Sequence, residues 1–136
     1  MTETRLPGRI LVIDDDQALC ELLIEDLNRR GHTAQSTLRV DSARDLLHKE
    51  EFDVVLTDLN MPGTSGIDFC AELHENRPDL PVVIMTAFGS LETAISALRA
   101  GAYYFVTKPV DLDLLSISLN RALHRQSNRS DGPFVG

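Results

Sequence analysis

Five short apolar runs, separated by segments with helical spacing, constrain the fold of this chain more than any other feature. The runs lie at 10–13, 54–56, 82–85 and 103–106, with a weaker run at 33–37 between the first two. Unbroken runs of β-branched residues are typical of strands that are covered on both faces, as in a parallel sheet. The pattern therefore predicts five strands that alternate with helices.

The segments between and after these runs carry apolar residues three and four positions apart, as helices do. Gly31 and Gly101 follow the first and fourth of these patterns, and Pro78 follows the third. Residues of these types end helices. Five strand–helix repeats predict an α/β fold with a doubly wound parallel sheet. Such sheets bind ligands at the carboxyl ends of their strands, so chemistry is expected there.

The length and composition fit a single folded domain that needs no disulfide or structural metal. The chain has 136 residues, of which 43% are hydrophobic, and a chain of this kind can bury a real core. We expect an N-terminal extension at 1–8, the folded domain at 9–125 and a linker or disordered tail at 126–136.

Charge, apolar runs and cysteine spacing exclude several classes of function. The net charge of −8 argues against direct binding of nucleic acid, which depends on clustered Lys and Arg. No apolar run approaches the roughly 18–20 residues of a membrane span, so no membrane association is expected. Cys20 and Cys70 have neither metal-ligand nor secreted-domain spacing, and we expect reduced, partly buried thiols in a cytoplasmic protein.

Polar side chains lie within one to three residues after four of the apolar runs and should project at one edge of the sheet. They are Asp14, Asp15, Asp16, Asp58, Thr86 and Lys108. Taken alone, each has an ordinary structural explanation. Asp16 is placed to cap the first helix, Asp14 and Asp15 would enrich its start in negative charge, and a lone Asp58 is more often a turn residue.

Taken together, the three acids Asp14, Asp15 and Asp58 favour a cation site. Their strand ends are adjacent if the first and third strands pair. Two carboxylates about 4 Å apart repel by about 4 kcal/mol at an effective dielectric near 20, which is a large share of the roughly 5–15 kcal/mol that stabilises a domain. A hard divalent cation removes this penalty, and Mg²⁺ commonly joins one or two carboxylates to a phosphate.

Lys108 and Thr86 complete the chemistry of phosphoryl transfer to a carboxylate. The Lys108 ammonium supplies a point charge for a phosphoryl oxygen, and the Thr86 hydroxyl supplies a donor. A cation, a lysine, a hydroxyl and a carboxylate nucleophile are the groups that such a transfer needs. No His, Cys or Ser has a comparable position, so acyl transfer is not expected.

Four motifs occur in order along the chain. They are Leu11-Val12-Ile13-Asp14-Asp15-Asp16, then Asp58-Leu59-Asn60-Met61-Pro62 with Gly66, then Met85-Thr86-Ala87, and Gly101-Ala102 leading to Lys108-Pro109. From about Arg9 to Arg125 the chain thereby resembles the receiver domains of bacterial response regulators. The resemblance implies a flavodoxin-like sheet in the order 2-1-3-4-5 and a function as a phosphorylation-controlled switch.

The resemblance also implies a role for each acid. Asp58 looks like the phosphoacceptor. Asp15 and Asp58 look like direct ligands of Mg²⁺, or of Mn²⁺ in its place, together with the backbone carbonyl of Asn60. Asp14 is similar to the acid that reaches the metal through water.

Three further positions match residues of the receiver family. Thr86 and Lys108 look like the switch hydroxyl and the phosphate-binding lysine, and Phe105 matches the aromatic residue that changes rotamer on activation. The Lys108–Pro109 bond is often cis in such domains, and an X–Pro bond adopts that form at little cost.

A subfamily is suggested by two segments. The stretch 85–90, with Ala102-Tyr103, looks like the receivers of enhancer-binding, NtrC-like transcriptional activators. The last residues, 133–136, are similar to the start of the ATPase module in those proteins. Tyr104 departs from the subfamily, where an Asp is common, and this puts in doubt an acid-mediated contact across a dimer.

The resemblance implies several partners. A sensor histidine kinase or phosphotransfer protein would present the phosphoryl group, and the protein would catalyse only its own phosphorylation and dephosphorylation. The fourth helix, fifth strand and fifth helix would form the output surface and a homodimer interface, and a C-terminal output domain would follow.

Two other functions remain open at this level. The first is an aspartate-nucleophile phosphatase that uses Asp14 and Asp16 as an acid-x-acid motif, although Gln17-Ala18 replace the usual glycine-containing continuation. The second is an interaction module on the same fold that works without phosphorylation.

Overall fold

The computed structural model of the chain describes residues 8–87 and 91–131. Strands and helices alternate strictly along this part of the sequence. In chain order they are β1 (Arg9–Ile13), α1 (Gln17–Arg29), β2 (Thr33–Thr37), α2 (Val40–Lys49), β3 (Val54–Asp58), α3 (Gly66–Asn76), β4 (Val82–Thr86), α4 (Leu91–Arg99), β5 (Tyr104–Thr107) and α5 (Leu112–Asp131). This confirms the five strand–helix repeats that the apolar runs predicted.

The strands form one parallel sheet in the order β2-β1-β3-β4-β5, which confirms the predicted topology. The first and third strands pair, with Ile13 opposite Thr57, and Asp58 at the end of β3 is opposite Met85 of β4. The carboxyl ends of β1, β3 and β4 therefore meet at the centre of one sheet edge.

Two apolar cores cover the sheet, because successive side chains of a strand point to opposite faces. On β1, Leu11 and Ile13 pack with residues of α2 and α3 in one core. Ile10 and Val12 pack with residues of α1 and α5 in the other. Covered on both faces, the central strands β3 and β4 are buried at every position, as their unbroken apolar runs predicted.

The helix ends also follow the sequence signals. Gly31 and Gly101 adopt positive φ angles of 101° and 108° just after α1 and α4, a region that L-residues with a Cβ rarely enter. The helix α3 ends at Asn76, before Pro78.

The last helix reaches further than the sequence suggested. α5 continues to Asp131, six residues beyond the boundary at 125 that we placed before a linker or disordered tail. The segment 126–131 contains no Gly or Pro, so nothing in its backbone chemistry stops the helix before Gly132. The domain boundaries themselves stay a prediction.

Some sequence-based interpretations concern residues outside the described ranges. They are the N-terminal extension up to residue 7, the subfamily positions 88–90 and the ATPase-like residues 133–136. Among the described helices, none has the length and apolar character needed to cross a lipid bilayer.

Both cysteines are free and buried, more deeply than the partial burial that we expected. Burial raises the pKa of the Cys20 thiol to about 11, and the nearby Asp14 charge adds to this effect. Burial likewise raises the pKa of Cys70 to about 11. Both side chains are therefore protonated near neutral pH and unreactive as thiolates.

Candidate functional site

The end of β1 positions three consecutive acids differently. Asp14 is fully buried, whereas Asp15 is exposed. One oxygen of Asp14, Oδ1, accepts the backbone N–H of Asp16 at 2.9 Å. The Asp16 carboxylate accepts the backbone N–H of Leu19 at 3.1 Å and caps α1, which confirms the capping role predicted for it.

Asp58, the last residue of β3, is held by a tightly packed loop. The N–H of Leu59 donates to the carbonyl of Met85 at 2.8 Å, and the N–H of Gly66 donates to the carbonyl of Leu59 at 2.8 Å. A Cβ at Gly66 would come within 2.6 Å of the carbonyl oxygen of Asp58. The start of α3 can therefore approach the acid-bearing strand end only because residue 66 has no side chain.

Lys108 joins the two buried acids of the site. Its ammonium group Nζ lies 2.7 Å from Oδ2 of Asp14 and 3.2 Å from Oδ1 of Asp58. Its backbone N–H donates to the carbonyl of Thr86 at 2.8 Å, which fixes the loop after β5 against the end of β4. The peptide bond between Lys108 and Pro109 is cis, as the resemblance led us to expect.

The negative charge of the Asp58 carboxylate is only partly balanced by the positive charge and the hydrogen-bond donors around it. Burial, and then the neighbouring charge of Asp14, raise the pKa of Asp58, while Lys108 and the backbone N–H of Asn60 act in the opposite direction. Burial lowers the pKa of Lys108, but its hydrogen bond to Asp14 and the charges of both acids raise it overall. An additional cation beside Asp58 would favour the ionised carboxylate.

The acids also meet the requirements of a divalent metal. Asp14, Asp15 and Asp58 each offer a carboxylate oxygen, and these oxygens all lie within 4.8 Å of one another. Hard oxygen donors suit Mg²⁺, whose ligands at 2.0–2.1 Å from the ion are separated by about 3–4 Å. The separations therefore fit a site in which some ligands bind directly and another binds through water. The acidic cluster that the sequence predicted is present.

The two predicted switch residues lie beside this cluster rather than within it. Thr86 ends β4 and is almost completely buried. Phe105 is opposite Ile84 in the pairing of β4 with β5 and packs, partly buried, against the core formed with α2 and α3. The roles that the resemblance implies for these two residues stay predictions.

One contact near the site was not anticipated. The Cys20 thiol donates to the carbonyl of Asp14 at 3.3 Å, so α1 supports the strand end that carries the acids. The available signal was the position of Cys20 on the apolar face of α1, one turn after the cap at Asp16.

Comparison with known proteins identifies the family of this fold and site. The family of response regulator receiver domains matches residues 10–120. The response regulator protein PilR of Pseudomonas aeruginosa is 41% identical over 123 residues, which are 90% of this chain and 28% of PilR. The chain spans less than a third of the curated relatives that it matches.

Solved structures agree with this match. The crystal structure of NtrX from Brucella abortus has a TM-score of 0.87 at 31% identity, covering 93% of this chain and 29% of NtrX. The solution structure of the beryllofluoride-activated NtrC4 receiver domain dimer has a TM-score of 0.83 at 29% identity, covering 87% of this chain and 98% of that one. These relatives confirm the likeness to NtrC-like regulators. The chain belongs to the receiver domain family of two-component response regulators.

Proposed function

We propose that Asp58 accepts a phosphoryl group from a phosphohistidine of a sensor kinase or phosphotransfer protein, in a reaction that depends on Mg²⁺ or Mn²⁺. The observation that carries this proposal is the placement of one ammonium group, Lys108 Nζ, within 3.2 Å of both Asp14 and Asp58 at the end of the sheet. A lysine held between two acids supplies positive charge where a phosphoryl group would add negative charge.

The transfer is a displacement at phosphorus. An oxygen of Asp58 forms the new O–P bond while the P–N bond of the phosphohistidine breaks, and the imidazole nitrogen leaves with the electron pair and takes a proton from solvent. Lys108 moves from its carboxylate partners to a phosphoryl oxygen. Asp14, Asp15, Asp58 and the carbonyl of Asn60 would hold a divalent cation, which would supply charge neutralisation for the carboxylates and the phosphoryl oxygens.

The added charge then causes a conformational change that reaches the output surface. A phosphoryl oxygen draws the Thr86 hydroxyl inward through a charge-assisted hydrogen bond. This movement vacates space beside β5, and the Phe105 ring rotates into it. The protein thus catalyses only its own phosphorylation and dephosphorylation, and it acts as a cytoplasmic signalling switch rather than as an enzyme with turnover.

The structural contacts of Asp16 and Asp14 do not favour the phosphatase alternative. A phosphatase of the acid-x-acid type would need Asp16 as a general acid, but the Asp16 carboxylate caps α1. Asp14 would need to be the nucleophile, yet its two oxygens accept from Asp16 N–H and from Lys108. An interaction module that works without phosphorylation gives no reason for this collection of charges.

The output surface also supports a homodimer. Exposed apolar side chains lie on its three elements: Leu91, Ile95 and Leu98 on α4, Tyr104 on β5, and Leu114 and Ile117 on α5. The similar NtrC4 receiver domain is a dimer when beryllofluoride activates it. We expect beryllofluoride with Mg²⁺ to increase dimer formation in sedimentation experiments and Leu98→Asp to prevent it. Leu22→Asp on α1 is the matched control, and a dimer that survives Leu98→Asp would remove α4 from the interface.

A C-terminal output domain is proposed from the length of the relatives, because this chain matches less than a third of each. The coding sequence beyond Gly136 tests this directly, and an immediate stop codon would contradict it.

The acceptor assignment is tested by intact-mass spectrometry. Incubation with acetyl phosphate and Mg²⁺ should add one phosphoryl group to the wild-type protein and none to Asp58→Asn. Lys108→Met should fold but react much more slowly, since the charge that receives the phosphoryl oxygens is removed. Full phosphorylation of Asp58→Asn would contradict the assignment.

A further inference from the structure

Two neighbouring aromatic residues, Tyr104 and Phe105, begin the edge strand β5. Their pairing partners on β4 are Val83 and Ile84, which belong to the two different cores. The two side chains therefore start from opposite faces of the sheet, as successive residues of a strand do.

The rings of Tyr104 and Phe105 nevertheless contact each other. Their centroids are 5.8 Å apart and their planes are tilted by 34°, within the 4.5–7 Å range of attractive aromatic pairs. In the part of the chain that the structure describes, no strand pairs with the outer side of β5, which leaves room there for the two rings to meet. The Phe105 ring is only partly buried where it packs against the core formed with α2 and α3.

We propose that Tyr104 is a positioning residue that holds Phe105 in its half-buried orientation and so biases the receiver toward the inactive state. This inference rests on the proposed function, in which Phe105 rotates inward after phosphorylation. An inward rotation of Phe105 would separate the two rings, because Tyr104 is 48% exposed and starts from the opposite face of the sheet. The ring contact then stabilises one of the two states and not the other.

Tyr104 would therefore set how much ligand is needed to activate the receiver, and it would take no part in phosphoryl transfer. A ligand that binds the active state has an apparent dissociation constant that falls as the active fraction of the free protein rises. Aromatic pairs of this geometry change such an equilibrium by about two- to tenfold. Loss of the Tyr104 ring should therefore lower the ligand concentration that half-activates the receiver by about the same two- to tenfold factor.

The test follows Phe105 directly with a 4-fluorophenylalanine label in its place and ¹⁹F NMR. Beryllofluoride is titrated into the full chain at saturating Mg²⁺, with every variant made in the Leu98→Asp background so that dimer formation does not contribute, and the midpoint of the ¹⁹F shift is recorded. Tyr104→Thr keeps a good strand residue but removes the ring. We expect its midpoint to fall by about two- to tenfold. Tyr104→Phe keeps the ring and is the matched control, with an expected midpoint equal to that of the wild type.

Two results would overturn the inference. One is an unchanged midpoint in a folded Tyr104→Thr protein, and the other is an equal shift in Tyr104→Phe, which would assign the effect to the hydroxyl. A wild-type ¹⁹F resonance that ignores beryllofluoride, in a protein that still takes a phosphoryl group on Asp58, would also remove the inference while leaving the phosphoacceptor function intact. Failure of phosphorylation itself would instead contradict the proposed function.

Discussion

At the scale of single residues, the site contains its own partial charge compensation. The sequence suggested that Asp14, Asp15 and Asp58 repel one another unless a metal binds. In the structure, the Lys108 ammonium already pairs with Asp14 and Asp58, so the two buried acids have a cation before any metal arrives. On the proposed function, a phosphoryl group or a metal would compete with these existing ion pairs, so its binding would redistribute charge within the site.

Gly66 offers a residue-scale test of how the acceptor is held. In Gly66→Ala, the new methyl group would lie 2.6 Å from both the Asp58 carbonyl oxygen and the Leu59 Cα, so this backbone must shift. We expect a loss of about 1–3 kcal/mol in unfolding free energy and slower phosphorylation by acetyl phosphate, measured by urea denaturation and by mass spectrometry.

Gly31→Ala is the control for the Gly66 variant. Its φ of +101° strains an alanine, but no atom outside its chain neighbours lies within 4 Å. Gly31→Ala should lose about 1–2 kcal/mol of unfolding free energy, and acetyl phosphate should phosphorylate it at the wild-type rate. Equal phosphorylation rates in the two variants would show that Gly66 does not position Asp58.

The sequence predicted the residue types of the site better than their interactions. Asp14, Asp15 and Asp58 could be placed together because the ends of paired parallel strands coincide. The contacts of Lys108 with Asp14 and Asp58 depend on the path of the loop after β5, and the Cys20 thiol contact depends on how α1 packs. Neither is encoded in a local pattern.

At the scale of elements, α2 and α3 are joined by one well-formed ion pair. Two nitrogens of Arg44, Nε and Nη2, lie 2.8 Å from the two carboxylate oxygens of Glu72. Such bidentate pairs are among the stronger surface interactions, and the hydrogen bond from Arg44 lowers the pKa of Glu72. Both side chains are about one-third exposed, so solvent screens much of the gain.

The ion pair predicts a pH-dependent stability. A lowered pKa means that Glu72 stabilises the fold fully above its unfolded value of 4.5 and progressively less as the pH falls through the lower folded value. Glu72→Gln should therefore cost about 0.5–1 kcal/mol at pH 7 and progressively less as the pH is lowered below 4.5, as measured by urea denaturation at neutral and at acidic pH. Glu75→Gln, on an exposed site of the same helix, is the control. A Glu72→Gln cost that is equal at both pH values would refute the ion-pair account.

The elements themselves followed from the sequence because each has a local cause. Apolar runs made the strands, and the glycines after α1 and α4 ended those helices. The end of α5 did not follow, since polar composition suggested a tail while the absence of Gly and Pro before residue 132 allows the helix to continue. At this point the polar composition predicted a tail and the absence of Gly and Pro predicted a helix, and the structure shows the helix.

At the scale of the whole molecule, binding of the proposed Mg²⁺ should stabilise the fold of a chain whose net charge is −8. If Mg²⁺ binds the folded site and not the unfolded chain, tenfold excess over its dissociation constant stabilises the fold by about 1.4 kcal/mol. For a domain of this size the melting temperature should rise by about 3–6 °C, as measured by differential scanning calorimetry with and without Mg²⁺.

Asp15→Ala separates metal binding from a general effect of ionic strength. Asp15 is exposed, whereas the ion pairs of Lys108 reach Asp14 and Asp58. The variant should therefore melt no lower than the wild type without metal and should lose the Mg²⁺-dependent rise. An unchanged rise in Asp15→Ala would exclude this side chain from the metal site.

Site mapping of the phosphoryl group tests the central claim most directly. After reaction with acetyl phosphate and Mg²⁺, borohydride reduces an acyl phosphate on aspartate to homoserine, and peptide mass spectrometry locates the change. We expect modification at position 58 alone, and none when Mg²⁺ is chelated. Modification at Asp14 instead would contradict the receiver mechanism and support the phosphatase alternative.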